Sequence, residues 1–233
     1  MSSPPDVGVV VVAGGAGLRA GLGSPKQFHP IAGIPMLLWS VRPFLAHPAV
    51  GRVVLVVPPQ VVATPPDWLA PLVGERLRLA RGGAERIDSV EQGVTALDGE
   101  FAIVVIHDGA RPFVDPTVID EVIAAARAGT GAIAAVPVSD TLKRDDRSAR
   151  PRIAATVARE GLWRAQTPQA FPIAMLQGGL AQARALGALC TDDAAMVELT
   201  GQPVRLIPDR STNIKVTTPD DFVVAEAIGR ARR

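Results

Sequence analysis

Lysine is nearly missing from this 233-residue chain: of its 24 basic residues only Lys26, Lys143 and Lys215 are lysines. Cysteine is scarcer, with Cys190 alone. That excludes an internal disulfide and fits a reducing compartment such as the cytoplasm. The three histidines, His29, His47 and His107, stand far apart, and no Cys/His group has the spacing of zinc ligands. No apolar run approaches the ~20 residues needed to span a bilayer, and the opening MSSPPDVG has no basic segment followed by a long apolar one, so no membrane partner is expected. A formal net charge of +1 with scattered arginines lacks the basic profile of a nucleic-acid binder.

What is present is ample apolar material, 48% of residues, enough to build a core in a chain of this length. Strand-like apolar runs recur at residues 9–12, 53–57, 77–80, 103–106, 132–136 and 204–207. Segments 36–46, 88–97, 117–128, 173–186 and 220–230 carry helical apolar spacing, several of them opened by Pro, Ser, Asp or Thr. This alternation predicts a mostly parallel sheet covered on both faces, with ligands bound beyond the carboxyl ends of the strands. There is no internal repeat, and the proline-rich stretch 58–71 reads as a surface loop, so one domain is expected over 1–233.

Residues 139–160, SDTLKRDDRSARPRIAATVARE, break the alternation: a polar centre lies between β-tending flanks at Thr141 and at Thr156 and Val157. An isolated two-stranded hairpin is marginal in water, so a second subunit is an economical partner for such an arm, and a solvated loop is the other reading.

The glycines after the first strand, in VVVVAGGAGLRAGLGSPKQ, admit three nucleotide-loop templates. A P-loop needs Gly-Lys followed by Ser or Thr, and that triplet does not occur. Gly15, Gly17 and Ala20 fit the dinucleotide fingerprint, but the second strand ends Val56-Val57-Pro58-Pro59 without the carboxylate that would hold a ribose. A loop whose arginine and lysine grip a triphosphate fits Gly17, Arg19, Ser24, Pro25 and Lys26 best. Attack of one phosphate on another brings two polyanions together, and fixed cations lower that barrier.

Three further segments carry candidate chemistry. GGAERIDSV at 82–90 places glycines after a strand and a hydroxyl near a helix start, suited to close approach of a base or ribose; a helix cap at Asp88 or Ser89 is the alternative. HDGARPF at 107–113 puts Asp108, suited to a ribose hydroxyl or magnesium, and Arg111, suited to a phosphate, at a strand end, with His107 read as structural. NIKVT at 213–217 sets Lys215 before a helix start, either on a substrate phosphate or simply on the surface.

Taken in order, AGGAGLR, SPKQF, GGAERIDSV, HDGARPF, DTLKR, TVAREGLWRAQTPQAF and NIKVTTPDD resemble the 2-C-methyl-D-erythritol 4-phosphate cytidylyltransferase family, colinearly over nearly the whole chain. The resemblance implies an α/β Rossmann-like, glycosyltransferase-A-like nucleotidyltransferase fold with a protruding β-arm. It also implies a homodimer joined through that arm, and a magnesium-dependent reaction of CTP with methylerythritol phosphate that releases pyrophosphate in the non-mevalonate isoprenoid route.

By the same resemblance Arg19 and Lys26 stabilise the transition state at the α-phosphate. Ala13, Gly14, Gly15, Gly17, Gly83, Ala84 and Ser89 hold the nucleotide, with Asp108 beside the ribose and metal. Gly109, Arg111, Thr167, Thr191 and Lys215 meet the second substrate, while Thr141 and Arg159 reach the neighbouring subunit's site, where Arg159, with Lys215, positions the attacking phosphate. Ala158 stands where many members have Asp, and Ala84 replaces a side chain that is often polar. The related ribitol 5-phosphate cytidylyltransferases share the nucleotide loop; DTLKR and TVAREGLW favour the methylerythritol family. The chain ends at Arg233 just after its last helix, so no fused second enzyme is expected. Lys143 has no assigned role.

Overall fold

A computed structural model describes residues 5–15, 25–98 and 101–232. The first glycine loop leaves strand β1 (Val7–Val12), a short ribbon follows at β2 (Pro30–Ile31) and β3 (Ile34–Pro35), and α1 (Met36–Ala46) leads into β4 (Val50–Val57). Next come α2 (Pro59–Ala63), β5 (Leu77–Arg81), α3 (Arg86–Ala96), β6 (Ile103–Asp108), α4 (Pro116–Arg127) and β7 (Gly131–Pro137). The arm strands β8 (Leu142–Asp145) and β9 (Ile153–Val157) precede β10 (Trp163–Pro172), α5 (Ile173–Leu186), α6 (Asp193–Glu198), β11 (Val204–Pro208) and α7 (Pro219–Ala231). Among these helices none is long and apolar enough to cross a membrane.

Seven strands form the main sheet in the order β11-β7-β10-β6-β1-β4-β5. Every pairing in it is parallel except those of β10, which runs antiparallel to both β6 and β7. Val7, Val9, Val10 and Val11 of β1 are buried on both faces, as expected of a central strand flanked by parallel neighbours. One core, with Val118, Ile119 and Val122 of α4 and Leu37, Val41 and Phe44 of α1, packs on one side of the sheet. The other side carries Val90 and Val94 of α3, Leu176 and Leu180 of α5 and Val197 of α6. Each such side chain taken out of water contributes roughly 1.5–3 kcal/mol, so the two layers fix the positions of the loops at the strand ends.

The expected helices are all found, but one expectation needs correction and two elements had no counterpart in the sequence reading. Stretch 58–71 is not simply loop: it contains α2, with Pro59 at its first turn, and a 3₁₀ turn at Ala70–Leu72. Strand β10 was not anticipated, because its sequence WRAQTPQAFP interrupts apolar alternation with two glutamines and two prolines. Its register against β7 shifts between Ala165 and Gln169, and the buried polar residues of that irregular stretch face the site. Helix α6 is too short to show periodicity; Asp192 caps it, accepting from Ala195 N. Segment 139–160 is a β-arm, with Leu142 paired to Val157 and Lys143 to Thr156.

Candidate active site

Strand β1 has β4 on one side and β6 on the other, so chain connections leave it in opposite directions and a crevice opens at its carboxyl end. Two glycine turns meet there. A Cβ on Gly14 would lie 3.3 Å from the Gly82 Cα, and one on Gly82 would lie 3.2 Å from the Gly14 Cα. At Gly83 a Cβ would stand 2.1 Å from the Asp88 Cβ, a distance no side chain can take. The turn is pinned by Ser89, whose Oγ accepts from Gly83 N (3.1 Å) and donates to Glu85 O (3.2 Å). Neither Asp88 nor Ser89 is the cap of α3: Glu85 is the N-cap, and Asp88 completes its capping box.

These turns line a cavity of about 630 Å³ that also takes in Lys26, Gln27, Ala84 and Gly109. A second cavity of about 230 Å³ is lined by Arg111, Gln166, Thr167, Gln169 and Thr191. Arg86, Asp108 and Lys215 line both.

Asp108, at the last position of β6, is the hub of that shared wall. Its Oδ1 lies 2.8 Å from Arg86 Nη1 and its Oδ2 lies 2.8 Å from Lys215 Nζ, with Arg111 Nε 3.8 Å away. Burial pushes its carboxyl up, but Arg86, Lys215 and Arg111 outweigh that and hold it well below the usual carboxylate range, so it is ionised at neutral pH. Its backbone N–H donates to Thr167 Oγ1 at 3.0 Å.

Burial pulls His107 down to about 4, so the ring is neutral and carries one N–H. Nε2 lies 3.0 Å from the Arg111 carbonyl, which can only accept; the proton therefore sits on Nε2, and Nδ1 accepts from Thr167 Oγ1 at 2.9 Å. His107 is thus a structural brace beneath Asp108, as its sequence reading anticipated.

Lys26 and Lys215, 189 positions apart, are brought to one place. Lys26 Nζ donates to Val216 O (2.7 Å), and Val216 N donates to Ala110 O (2.8 Å). Gln27, buried, supports the first glycine turn through Nε2 to Ala13 O (2.8 Å) and Gly15 O (3.3 Å). Arg111 directs Nη1 to Asn213 O (2.8 Å) and Nη2 to Ala165 O (3.4 Å), and burial lowers its affinity for its proton.

Not every expected residue meets here. Thr141 is exposed near the base of the arm, Arg159 Nη1 donates to Ser139 O, and neither lines either cavity. Gly17, Arg19 and Ser24 lie outside the described residues. Lys143, unassigned from sequence, donates from Nζ to Thr156 Oγ1 (2.8 Å) across the arm ladder. Conversely, the sequence reading gave no role to Arg86, Gln27, Asn213 or Asp193. Arg86, Gln27 and Asn213 lie within motifs already quoted, and of the four Asp193 alone carried no signal.

Residues 7–231 match the 2-C-methyl-D-erythritol 4-phosphate cytidylyltransferase family. The enzyme of that name from Pelotomaculum thermopropionicum is 42% identical, over 97% of this chain and 95% of its own length. The bifunctional enzyme IspD/IspF of Desulfotalea psychrophila is 39% identical over 97% of this chain, which spans only 57% of that protein. Among solved structures, the Thermus thermophilus cytidylyltransferase superposes with a TM-score of 0.80 at 34% identity, covering 97% of this chain and 99% of the other. With family match, near full-length identity and fold in agreement, the chain belongs to the 2-C-methyl-D-erythritol 4-phosphate cytidylyltransferase family.

Proposed function

We propose that this protein transfers the cytidylyl group of CTP to 2-C-methyl-D-erythritol 4-phosphate, giving 4-diphosphocytidyl-2-C-methyl-D-erythritol and pyrophosphate. The observation that carries the reading is the pair of cavities sharing Asp108 and Lys215, because the reaction needs two anionic substrates brought to one phosphorus between them.

In this reading the larger cavity takes the nucleotide. Backbone groups at Ala13, Gly14, Gly15, Gly83 and Ala84, with Ser89, cradle it; for Gly17 and Arg19, outside the described residues, the contact with the triphosphate rests on the family resemblance alone. The smaller cavity takes methylerythritol phosphate against Arg111, Thr167 and Thr191, whereas Gly109, expected on this substrate, lines the larger cavity beside the shared Asp108. The substrate phosphate is the nucleophile; it attacks the α-phosphorus, and the bond to pyrophosphate breaks. Lys26 offsets the charge that grows there, a role the family resemblance also gives to Arg19, and Lys215 guides the incoming phosphate. The Lys215–Asp108 pair leaves the ammonium at the shared wall, 47% of its side chain still exposed.

Magnesium belongs to the same proposal. Among the described residues no group of three or more His, Cys, Asp or Glu could form a metal cage. An ion carried on a triphosphate needs only one or two protein oxygens, and Asp108, ionised and in the larger cavity, fits that role. The bound ion would offset phosphate charge. Homodimerisation through the 139–160 arm, which would bring Thr141 and Arg159 to the neighbouring site, and a cytoplasmic location complete the reading.

The test is pyrophosphate release from CTP and magnesium with either methylerythritol phosphate or ribitol 5-phosphate. Release with the former is expected; release only with ribitol phosphate overturns the assignment.

A further inference from the structure

Arg86, the first residue of α3, reaches from one cavity to the other. One arm of its guanidinium, Nη1, meets Asp108 Oδ1 at 2.8 Å; the other, Nη2, meets Asp193 Oδ2 at 2.5 Å. Asp193 is fully buried, and its Oδ1 has no hydrogen-bond partner among the described residues. A buried carboxylate with a single cationic partner is a poor way to gain stability, since desolvation offsets the attraction and an apolar pair would serve as well. Its placement asks for another reason.

Asp193 opens α6, directly after the turn that carries Thr191. Two elements pin that turn. From β10, Gln169 donates through Nε2 to Asp192 Oδ2 (3.0 Å) and accepts at Oε1 from Ala194 N (2.9 Å). From α3, Arg86 holds Asp193 and at the same time holds Asp108, the residue both cavities share. The planar fork of arginine can bridge two carboxylates in a way that the single ammonium of lysine cannot.

We infer that Arg86 and Asp193 are one positioning unit: Arg86 sets the Asp108 carboxylate and, through Asp193, sets the Thr191 turn on the far wall of the smaller cavity, so that the second substrate is held in register with the nucleotide. This rests on the cytidylyltransferase reading above. Neither residue has to touch a reacting atom for it to hold.

The experiment is steady-state kinetics of pyrophosphate release, with melting temperatures, for wild type, Asp193→Asn and Arg86→Gln/Asp193→Asn. Asp193→Asn keeps the shape and removes the charge of one hydrogen bond. It is expected to raise KM for methylerythritol phosphate about tenfold while KM for CTP stays within about twofold. The double variant leaves Asp193's site without charge, so its melting temperature recovers toward wild type, while KM for methylerythritol phosphate stays raised. If Asp193→Asn fails to fold, the double variant carries the test. Unchanged KM values in Asp193→Asn, a proportional rise in both, or kinetics that recover together with melting temperature in the double variant would each overturn the inference. A wild-type protein that releases no pyrophosphate from these substrates overturns instead the reading on which it rests.

Discussion

Lys215 Nζ stands 2.8 Å from Asp108 Oδ2, so that a residue near the carboxyl end of the chain closes the wall between two cavities built largely by earlier strands. The lysine is half-exposed and the aspartate is buried, which makes the pair asymmetric. Asp108 has further cationic neighbours in Arg86 and Arg111, and Lys215 can turn toward an incoming phosphate without stranding a buried charge.

Lys215→Ala should therefore cost activity far more than stability. The expected loss in kcat/KM is on the order of 10²–10³-fold, typical of removing one charge-stabilising group from a reacting centre. Pyrophosphate release and a melting curve on the same sample check it; near-normal turnover would remove Lys215 from the chemistry.

Gly83→Ala tests the nucleotide turn. Its Cβ would collide with that of Asp88, a backbone-proximal atom that cannot swing aside, so either the turn or the start of α3 must shift. A destabilisation of about 1–3 kcal/mol is expected from such overpacking, with weakened CTP binding. Urea unfolding and calorimetric titration with CTP read the two effects separately.

Asp221 gives a pH dependence with a defined sign. Its Oδ2 accepts from Thr217 N (2.7 Å), Thr217 Oγ1 (2.8 Å) and Thr218 N (2.8 Å), tying α7 to the segment that carries Lys215. Burial pushes the carboxyl up, but these donors outweigh it and bring it down to about 2 from the ordinary 3.8. A depressed carboxylate contributes stability that is present above pH 3.8 and is lost as pH falls through 2. Asp221→Asn should be less stable than wild type by about 1 kcal/mol at neutral pH, a figure discounted for partial exposure. The gap should close by about pH 2. A constant gap across denaturation curves from pH 7 to pH 2 would contradict this account.

Mixing subunits tests the arm. Neither Thr141 nor Arg159 lines either of the two cavities described above, as expected if the arm serves a neighbour. Arg159→Ala and Lys26→Ala proteins, each expected to be nearly inactive alone, should regain part of wild-type activity when unfolded and refolded together, because one mixed site is then intact. No recovery, with mixed dimers confirmed by mass spectrometry, would place Arg159 in its own chain's site or outside the reaction.

Much of this was legible in the chain because the signals are local. The valine run of β1, the helical spacing of α4 and the glycines at 14, 15, 82 and 83 each report a backbone requirement that a few neighbouring residues express by themselves. Strand β10 was hidden for the opposite reason: its glutamines and prolines are tolerated only because Gln169 and Thr167 find partners on α6 and β6, contacts made with residues 23 to 60 positions away. Lys143, unlike its two counterparts, had no role by sequence, and its neighbour across the arm is a threonine hydroxyl.

The sequence by itself determined the layered α/β class, the two glycine turns and the family, since periodicity and colinear motifs survive without coordinates. Only the tertiary structure decided which charges share a wall. Asp108, Arg86, Asp193 and Lys215 come from four different segments, and nothing in their spacing along the chain says that one half-buried guanidinium will lie between two carboxylates. That arrangement follows from α3 and α6 packing on the same face of one sheet, beyond the end of β6, which brings the ends of distant elements to the same crevice, where burial strengthens every charge they carry.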